Sequence, residues 1–439
     1  MEFFDREEEI ATLRRIRNSS LTCAKFTVVT GRRRVGKTNL IDRALQDQPF
    51  IYLYVGRKTE KDLCAEFQTE IGRVLKLPMI GEASRFEPLF KAVVDASKMQ
   101  PVTIVIDEFQ DFKRIDESIF SSIANIWDHN KDSARLNLVV CGSIYRLMTE
   151  LFADRYAPLY GRNTGLMHIE PFRASVLKDV LRRHSPNFRN EDLLALWTFT
   201  GGVARYVELL MDEGAFVKDR MIEAIFRKDS PYLEEGTSIL VQEFGKDHGT
   251  YFSVMSAIAS GHGEYSQIKN AVGEEIGTHL AKLESEYRLI RRKVPVFADP
   301  SSRNSVYEID DCFFRYWFRF VWKNIYLKEL GRYNVMRDYA LRDYEVFSGH
   351  ALEQYFRWKF MEEQKYTRMD AWWDRRGENE IDLVCDDEVG NMLDFYEVKR
   401  DPSRISNSDL IRKSEAFFAK NPKLKGRETF FKGLSIEDM

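Results

Sequence analysis

The octapeptide Gly31-Arg32-Arg33-Arg34-Val35-Gly36-Lys37-Thr38 decides the first half of this chain. It follows an apolar, β-branched run, Phe26-Thr27-Val28-Val29-Thr30, and opens into Asn39-Leu40-Ile41-Asp42-Arg43-Ala44-Leu45. The order is strand, glycine-rich turn, helix, and the turn spells G-x-x-x-x-G-K-T. Gly31 and Gly36 let the backbone bend so that N–H groups of Arg34, Val35 and the residues through Asn39 face a phosphate beside a positive helix N-terminus. Lys37 can reach the β- and γ-phosphates, and the Thr38 hydroxyl can sit on Mg²⁺. The stretch predicts a nucleoside-triphosphate site.

Working outward, Phe50-Ile51-Tyr52-Leu53-Tyr54-Val55 reads as a second strand. Val102-Thr103-Ile104-Val105-Ile106 has no alternation, as in a strand buried on both faces, and it ends in Asp107-Glu108. Two carboxylates at that strand end suit hydrolysis: Asp107 holding Mg²⁺ through its waters, Glu108 orienting the attacking water as general base. An Asp-Glu pair also starts helices. Leu136-Asn137-Leu138-Val139-Val140-Cys141 then delivers Gly142-Ser143, where Ser143 either senses the γ-phosphate and water or caps the next helix. The βα alternation over 25–170 predicts a parallel sheet covered by helices.

A chain of 439 residues exceeds one ordinary core, so two to four domains are expected. No run of eighteen apolar residues and no signal-peptide n-region occur, which predicts a cytoplasmic protein without a membrane segment. Five scattered cysteines and seven histidines show no zinc or disulfide spacing. A net charge of −3 excludes a globally basic nucleic-acid binder, leaving only local patches for that role.

Gly31–Thr38, Val105-Ile106-Asp107-Glu108, Cys141-Gly142-Ser143, Leu159-Tyr160-Gly161-Arg162, Glu170-Pro171-Phe172 and Thr200-Gly201-Gly202 together resemble the archaeal-type ATPases of the STAND branch of AAA+ proteins. Phe4-Asp5-Arg6-Glu7-Glu8-Glu9-Ile10 resembles the segment that lies over the adenine there. The resemblance implies ATP and Mg²⁺ as cofactors, a helical lid, self-association through the ATPase core, and Arg162 as a γ-phosphate contact. Physically, Arg162 is equally a surface ion-pair partner. Ala204 stands where the family has a lid proline.

Residues 248–310 read as three helices and a hairpin, a winged helix. Its basic cluster, Lys282, Arg288, Arg291, Arg292 and Lys293, either contacts DNA or belongs to a unit that only braces the lid. Asp311 to Lys328 is aromatic, but Arg315, Arg319 and Lys323 recur every fourth residue, which predicts a helix packed between domains and not a bilayer span.

Further on, Gly349–Phe356 reads as a helix, Glu380–Cys385 as a strand, and a hairpin leads to Leu393–Lys399. Glu397 and Lys399 are two apart and share a strand face, and a neighbouring strand can bring Asp382 beside them. Two carboxylates suit Mg²⁺, and a lysine nearby can activate water and neutralise charge at a phosphodiester. Glu353, Asp382 and Glu397-x-Lys399 resemble the P-D-(D/E)-x-K nuclease superfamily, which implies a restriction-endonuclease-like fold with Asp382 and Glu397 as metal ligands and Glu353 completing the site. Between Lys399 and Lys432, ten lysines and arginines face four acids, a candidate DNA-backbone surface.

The expected fold is therefore a multidomain α/β chain. A P-loop parallel-sheet ATPase core spans 1–170 and a helical lid 171–245. A winged helix with its aromatic connector spans 246–335, and an α/β nuclease-like domain spans 336–439. The expected function is an ATPase coupled to a DNA-acting nuclease. The alternative is a STAND-type switch whose C-terminal domain binds nucleic acid or protein without cleaving.

Overall fold

The computed structural model describes residues 3–76, 81–244 and 248–439. The chain divides into two compact units, Asp5–Glu170 and one that holds Pro171–Met439. The expected lid-to-wing boundary at 245–246 lies outside the described residues.

In the first unit, strands β1 (Lys25–Gly31), β2 (Ile51–Tyr54), β3 (Val102–Asp107), β4 (Leu136–Gly142) and β5 (Gly165–Ile169) form one sheet ordered β2-β3-β4-β1-β5. Every pairing is parallel. β1, β3 and β4 are buried along nearly their whole length, as strands covered by helices on both faces require. Their apolar side chains feed two cores, one through Phe26, Val28, Ile104, Ile106 and Val140, the other through Val29, Val105 and Val139. The sheet brings the C-terminal ends of β1, β3 and β4 side by side, where α/β sheets bind ligands.

The second unit opens with five helices between Ala174 and Phe244. The helix Ala204–Asp212 begins at Ala204 despite the missing proline, after Val203 with φ −66°. Gly202 has φ +76°, and a Cβ there would collide with the Phe172 carbonyl. Helices His248–Ala259, Tyr265–Val272 and Gly277–Ser285 precede β6 (Ile290–Lys293) and β7 (Val306–Ile309), an antiparallel hairpin. The aromatic stretch is not one α-helix. It runs Cys312–Tyr316, a wider π-turn over Trp317–Val321, a tight turn and then Ile325–Glu329. Trp317 lies over Gly236, where any side chain would strike its ring. Arg315 lies over the Phe347 ring and Arg319 pairs with Asp343, so the charged stripe meets the long helix Tyr333–Glu363. None of the described helices is long and apolar enough to cross a membrane.

After that helix come β8 (Arg368–Trp373), β9 (Glu380–Asp387), β10 (Met392–Val398), the helix Asn407–Lys420, and β11 (Glu428–Leu434). The sheet order is β11-β10-β9-β8, with β8, β9 and β10 antiparallel and β11 parallel to β10. Phe395, Val384, Trp372 and Phe417 form the core between this sheet and Asn407–Lys420.

Candidate functional site

The loop after β1 has the strained backbone its glycines foretell. Gly31 has φ +152° and Gly36 φ +92°, and a Cβ on Gly31 would strike the Ile169 carbonyl. The helix Lys37–Leu45 begins with no side-chain cap and no acidic residue in its first turn. The helix thus brings no carboxylate of its own to its N-terminus, which fits an anion such as a nucleotide phosphate. Lys37 Nζ donates to the carbonyls of Gly31 at 2.9 Å and Arg32 at 3.0 Å. Burial lowers its pKa, with Glu108, Cys141 and Asp107 opposing.

The two residues expected to share Mg²⁺ touch: Thr38 Oγ1 donates to Asp107 Oδ2 at 3.2 Å. Tyr52 donates to the same oxygen at 2.6 Å, and Cys141 Sγ lies 3.0 Å from Oδ1. Asp107 is thus ringed by neutral donors. Sequence reasoning did not find Tyr52 or Cys141, because which residue of β2 or β4 faces Asp107 is set by strand order. Glu108 has φ +51°, an uncommon left-handed conformation for a side chain of its size. Ser143 Oγ donates to its two oxygens at 2.8 and 3.0 Å, and Gln110 Nε2 donates at 2.6 Å. This contact with the Glu108 carboxylate is neither of the two roles open to Ser143, and the next helix takes Ile144 as its N-cap.

Arg162 is engaged elsewhere. Its guanidinium donates to both oxygens of Asp128, at 2.7 to 3.2 Å, and to the Pro158 carbonyl. Of the two roles open to it, the ion pair is the one this structure forms.

At the second constellation, β9 and β10 pair Tyr396 with Leu383. One further step in that register sets Glu397 opposite Asp382, on one face. Lys399 Nζ lies 3.1 Å from Asp382 Oδ2 and 3.5 Å from Glu397 Oε1. The backbone N–H of Val398 donates to Asp382 at 2.7 Å. Burial, with Glu353 adding repulsion, pushes the Asp382 carboxyl up to about 6, against the pull of Lys399. Burial lowers the Lys399 pKa, but Asp382, Glu397 and Glu353 together leave it raised. Lys413, from Asn407–Lys420, lies 3.1 Å from Glu397 Oε1 and was not anticipated. Glu353 Oε2 lies 3.3 Å from His350 Nδ1. Burial pushes the Glu353 carboxyl up, yet His350, Lys293 and Arg315 hold it below the usual range. Asp382, Glu397 and Lys399 converge as expected, and Glu353 is within electrostatic reach. Among the described residues, however, no group of three or more acidic, histidine or cysteine side chains forms a ready metal-ligand set. The two carboxylates are joined by Lys399 instead.

The basic cluster of the hairpin, read as either a DNA contact or a brace, has three of its residues paired within the chain. Arg291 pairs with Glu308 at 2.5 Å and with Asp370 of β8 at 2.7 Å. Lys293 pairs with Glu308, and Arg292 donates to the Pro300 and Ser302 carbonyls. Burial weakens the Arg291 charge, but Glu308, Asp370 and Asp310 more than restore it. These three residues brace the hairpin and β8, so a DNA contact through them finds no support. Periodicity predicted the hairpin correctly but carries no information on which acids it meets.

Residues 3–210 match the family described as an ATPase domain predominantly from Archaea. Residues 317–409 match a family described as archaeal and bacterial proteins of unknown function. The uncharacterized protein MJECL04 of Methanocaldococcus jannaschii is 29% identical over 430 residues, covering 94% of this chain and 92% of its own. Among solved structures, the Walker-type ATPase PABY2304 of Pyrococcus abyssi aligns with a TM-score of 0.54 at 20% identity, covering 72% of this chain and 96% of its own. The Aeropyrum pernix ORC2 protein, solved as ADPNP-ADP complexes, aligns with a TM-score of 0.52 at 14% identity, covering 75% and 96%. At these identities the two structures establish fold alone. Residues 3–210 are thus similar to a predominantly archaeal family of ATPase domains, and residues 317–409 to a family of unknown function.

Proposed function

We propose that this chain is an ATP-hydrolysing, Mg²⁺-dependent ATPase coupled to a cation-dependent nuclease-like site that acts on DNA. The first half of the proposal rests on the joined loop, Asp107 and Glu108. Lys37 and the first turn of Lys37–Leu45 would hold the phosphates, Thr38 and Asp107 the cation, and Glu108 the attacking water. Bound Mg²⁺ would supply charge neutralisation at the phosphates.

The second half rests on one observation: Asp382, Glu397 and Lys399 share a strand face at the end of an antiparallel pair. The order helix, three antiparallel strands, helix, parallel strand supports the restriction-endonuclease-like reading. A divalent cation would be held by Asp382 and Glu397, with Glu353 nearby, while Lys399 would turn to the scissile phosphate. Calorimetric titration with Mn²⁺ tests this half. Asp382→Ala should abolish cation binding at this site, whereas Lys399→Ala should keep it, since a lysine is a point charge and not a ligand. Equal Mn²⁺ binding by wild type and Asp382→Ala would end the nuclease reading.

A second reading has its own observation. Lys399 and Lys413 already neutralise Glu397, and Lys399 also pairs with Asp382. A domain whose acids are neutralised internally suits a STAND-type switch that binds nucleic acid or protein without cutting it.

A further inference from the structure

The contact between Gln110 and Glu108 has a feature that simple packing does not require. Gln110 is fully buried, and its Nε2 donates to Glu108 Oε2 at 2.6 Å. Its Oε1 has no hydrogen-bond partner within the protein. A buried, unpaired acceptor is costly. An apolar side chain of similar shape would avoid that cost, yet would offer Glu108 no donor. The strand alongside is shaped around the same amide: a Cβ on Gly142 would collide with Gln110 Oε1 and with Met148. Ser143, next in the chain, donates to both carboxylate oxygens, including the Oε2 that Gln110 meets. Gly142 thus leaves room for the amide while Ser143 supplies the second donor to Glu108.

From this geometry we infer that Gln110 is a positioning residue for ATP hydrolysis. Its amide fixes the rotation of the Glu108 carboxylate, which sits on a left-handed backbone with φ +51° and is otherwise held only through Ser143 among the contacts described. Gln110 itself touches neither nucleotide nor water in this role. The inference rests on Glu108 being the group that orients the attacking water.

The test is ATP hydrolysis by the full-length chain under single- and multiple-turnover conditions. Gln110→Met keeps the shape and removes the donor, and Gln110→Asn keeps the amide but falls one methylene short. Both should lower kcat by roughly 10-fold or more and leave KM for ATP within about twofold, the signature of lost alignment in the transition state. Both should fold, with Gln110→Met melting no lower than wild type because it also removes the unpaired acceptor. Unchanged kcat in either folded variant overturns the inference, and so does a parallel loss of kcat, KM and stability. If neither variant folds, Gln110 is a core residue and the positioning role is likewise overturned. Glu108→Gln separates the two layers. Normal hydrolysis in that variant, or no hydrolysis by wild type, defeats the reading of Glu108 itself. A loss there with normal Gln110 variants defeats only the positioning.

Discussion

Both candidate sites place a carboxylate at the end of a sheet strand, but they treat its charge differently. Asp107 is surrounded by neutral donors: the Thr38 and Tyr52 hydroxyls and the Cys141 thiol. Asp382 and Glu397 are paired with cations, Lys399 and Lys413. Dipoles orient a carboxylate without cancelling its charge, so Asp107 keeps its attraction for a divalent cation. Lysines cancel much of it, so a cation arriving at Asp382 must compete with Lys399. On the proposed reading, the first site would receive its cation as it stands, and the second would have to rearrange to bind one.

The widest break in this comparison comes from the nucleotide loop. Lys37→Ala should abolish ATP binding, because Lys37 meets ground-state phosphates. Glu108→Gln should bind ATP normally and lose hydrolysis by on the order of 100-fold or more, since Glu108 is needed only for the water. Equilibrium binding of a fluorescent ATP analogue, beside turnover, checks both. Undiminished ATP affinity in Lys37→Ala would refute the loop assignment.

Next in size is Arg291. Arg291→Ala leaves Glu308 and Asp370 short of a partner and should cost about 3 kcal/mol or more of stability in the C-terminal unit. If the protein binds DNA, the salt dependence of that binding should be unaltered, since Arg291 is committed to acids. A flatter salt slope with stability intact would restore the DNA contact discarded above.

The smallest effect is a pH dependence at Asp382. Asp382 ionises near pH 6 in the fold, above the ordinary range near 4. A raised carboxyl pKa means the folded state holds the proton more tightly than the unfolded state. The cost of ionising Asp382 is absent below pH 4, grows through the window from 4 to 6, and is complete above 6. In metal-free protein, Asp382→Asn should therefore gain stability relative to wild type across that window, by up to about 3 kcal/mol. Denaturant midpoints of the two proteins at pH 4, 5, 6 and 7 check this. A constant difference would show that Lys399 fully offsets the burial.

Much of this was legible in the sequence, for physical reasons that differ by residue. The strand-loop-helix around Gly31–Thr38 is a local pattern, and local geometry alone builds it. Asp382, Glu397 and Lys399 were legible because strand alternation fixes which side chains share a face. Helical period gave the three helices ahead of β6, and charge spacing gave the packed aromatic connector. What escaped were partners set by tertiary contact: Tyr52 and Cys141 on Asp107, Lys413 on Glu397, and the acids around Arg291. The π-turn over Trp317–Val321 escaped as well, and so did the packing of Trp317 over Gly236.

The most direct measurement of the central claim is incubation of purified full-length protein with plasmid and single-stranded DNA, with and without Mg²⁺ and ATP. Wild type should nick or linearise DNA only when Mg²⁺ is present, and Asp382→Ala should leave it intact while hydrolysing ATP normally. No cleavage by wild type in any arm, or equal cleavage by Asp382→Ala, would contradict the coupled ATPase–nuclease account and leave the non-cleaving switch in its place.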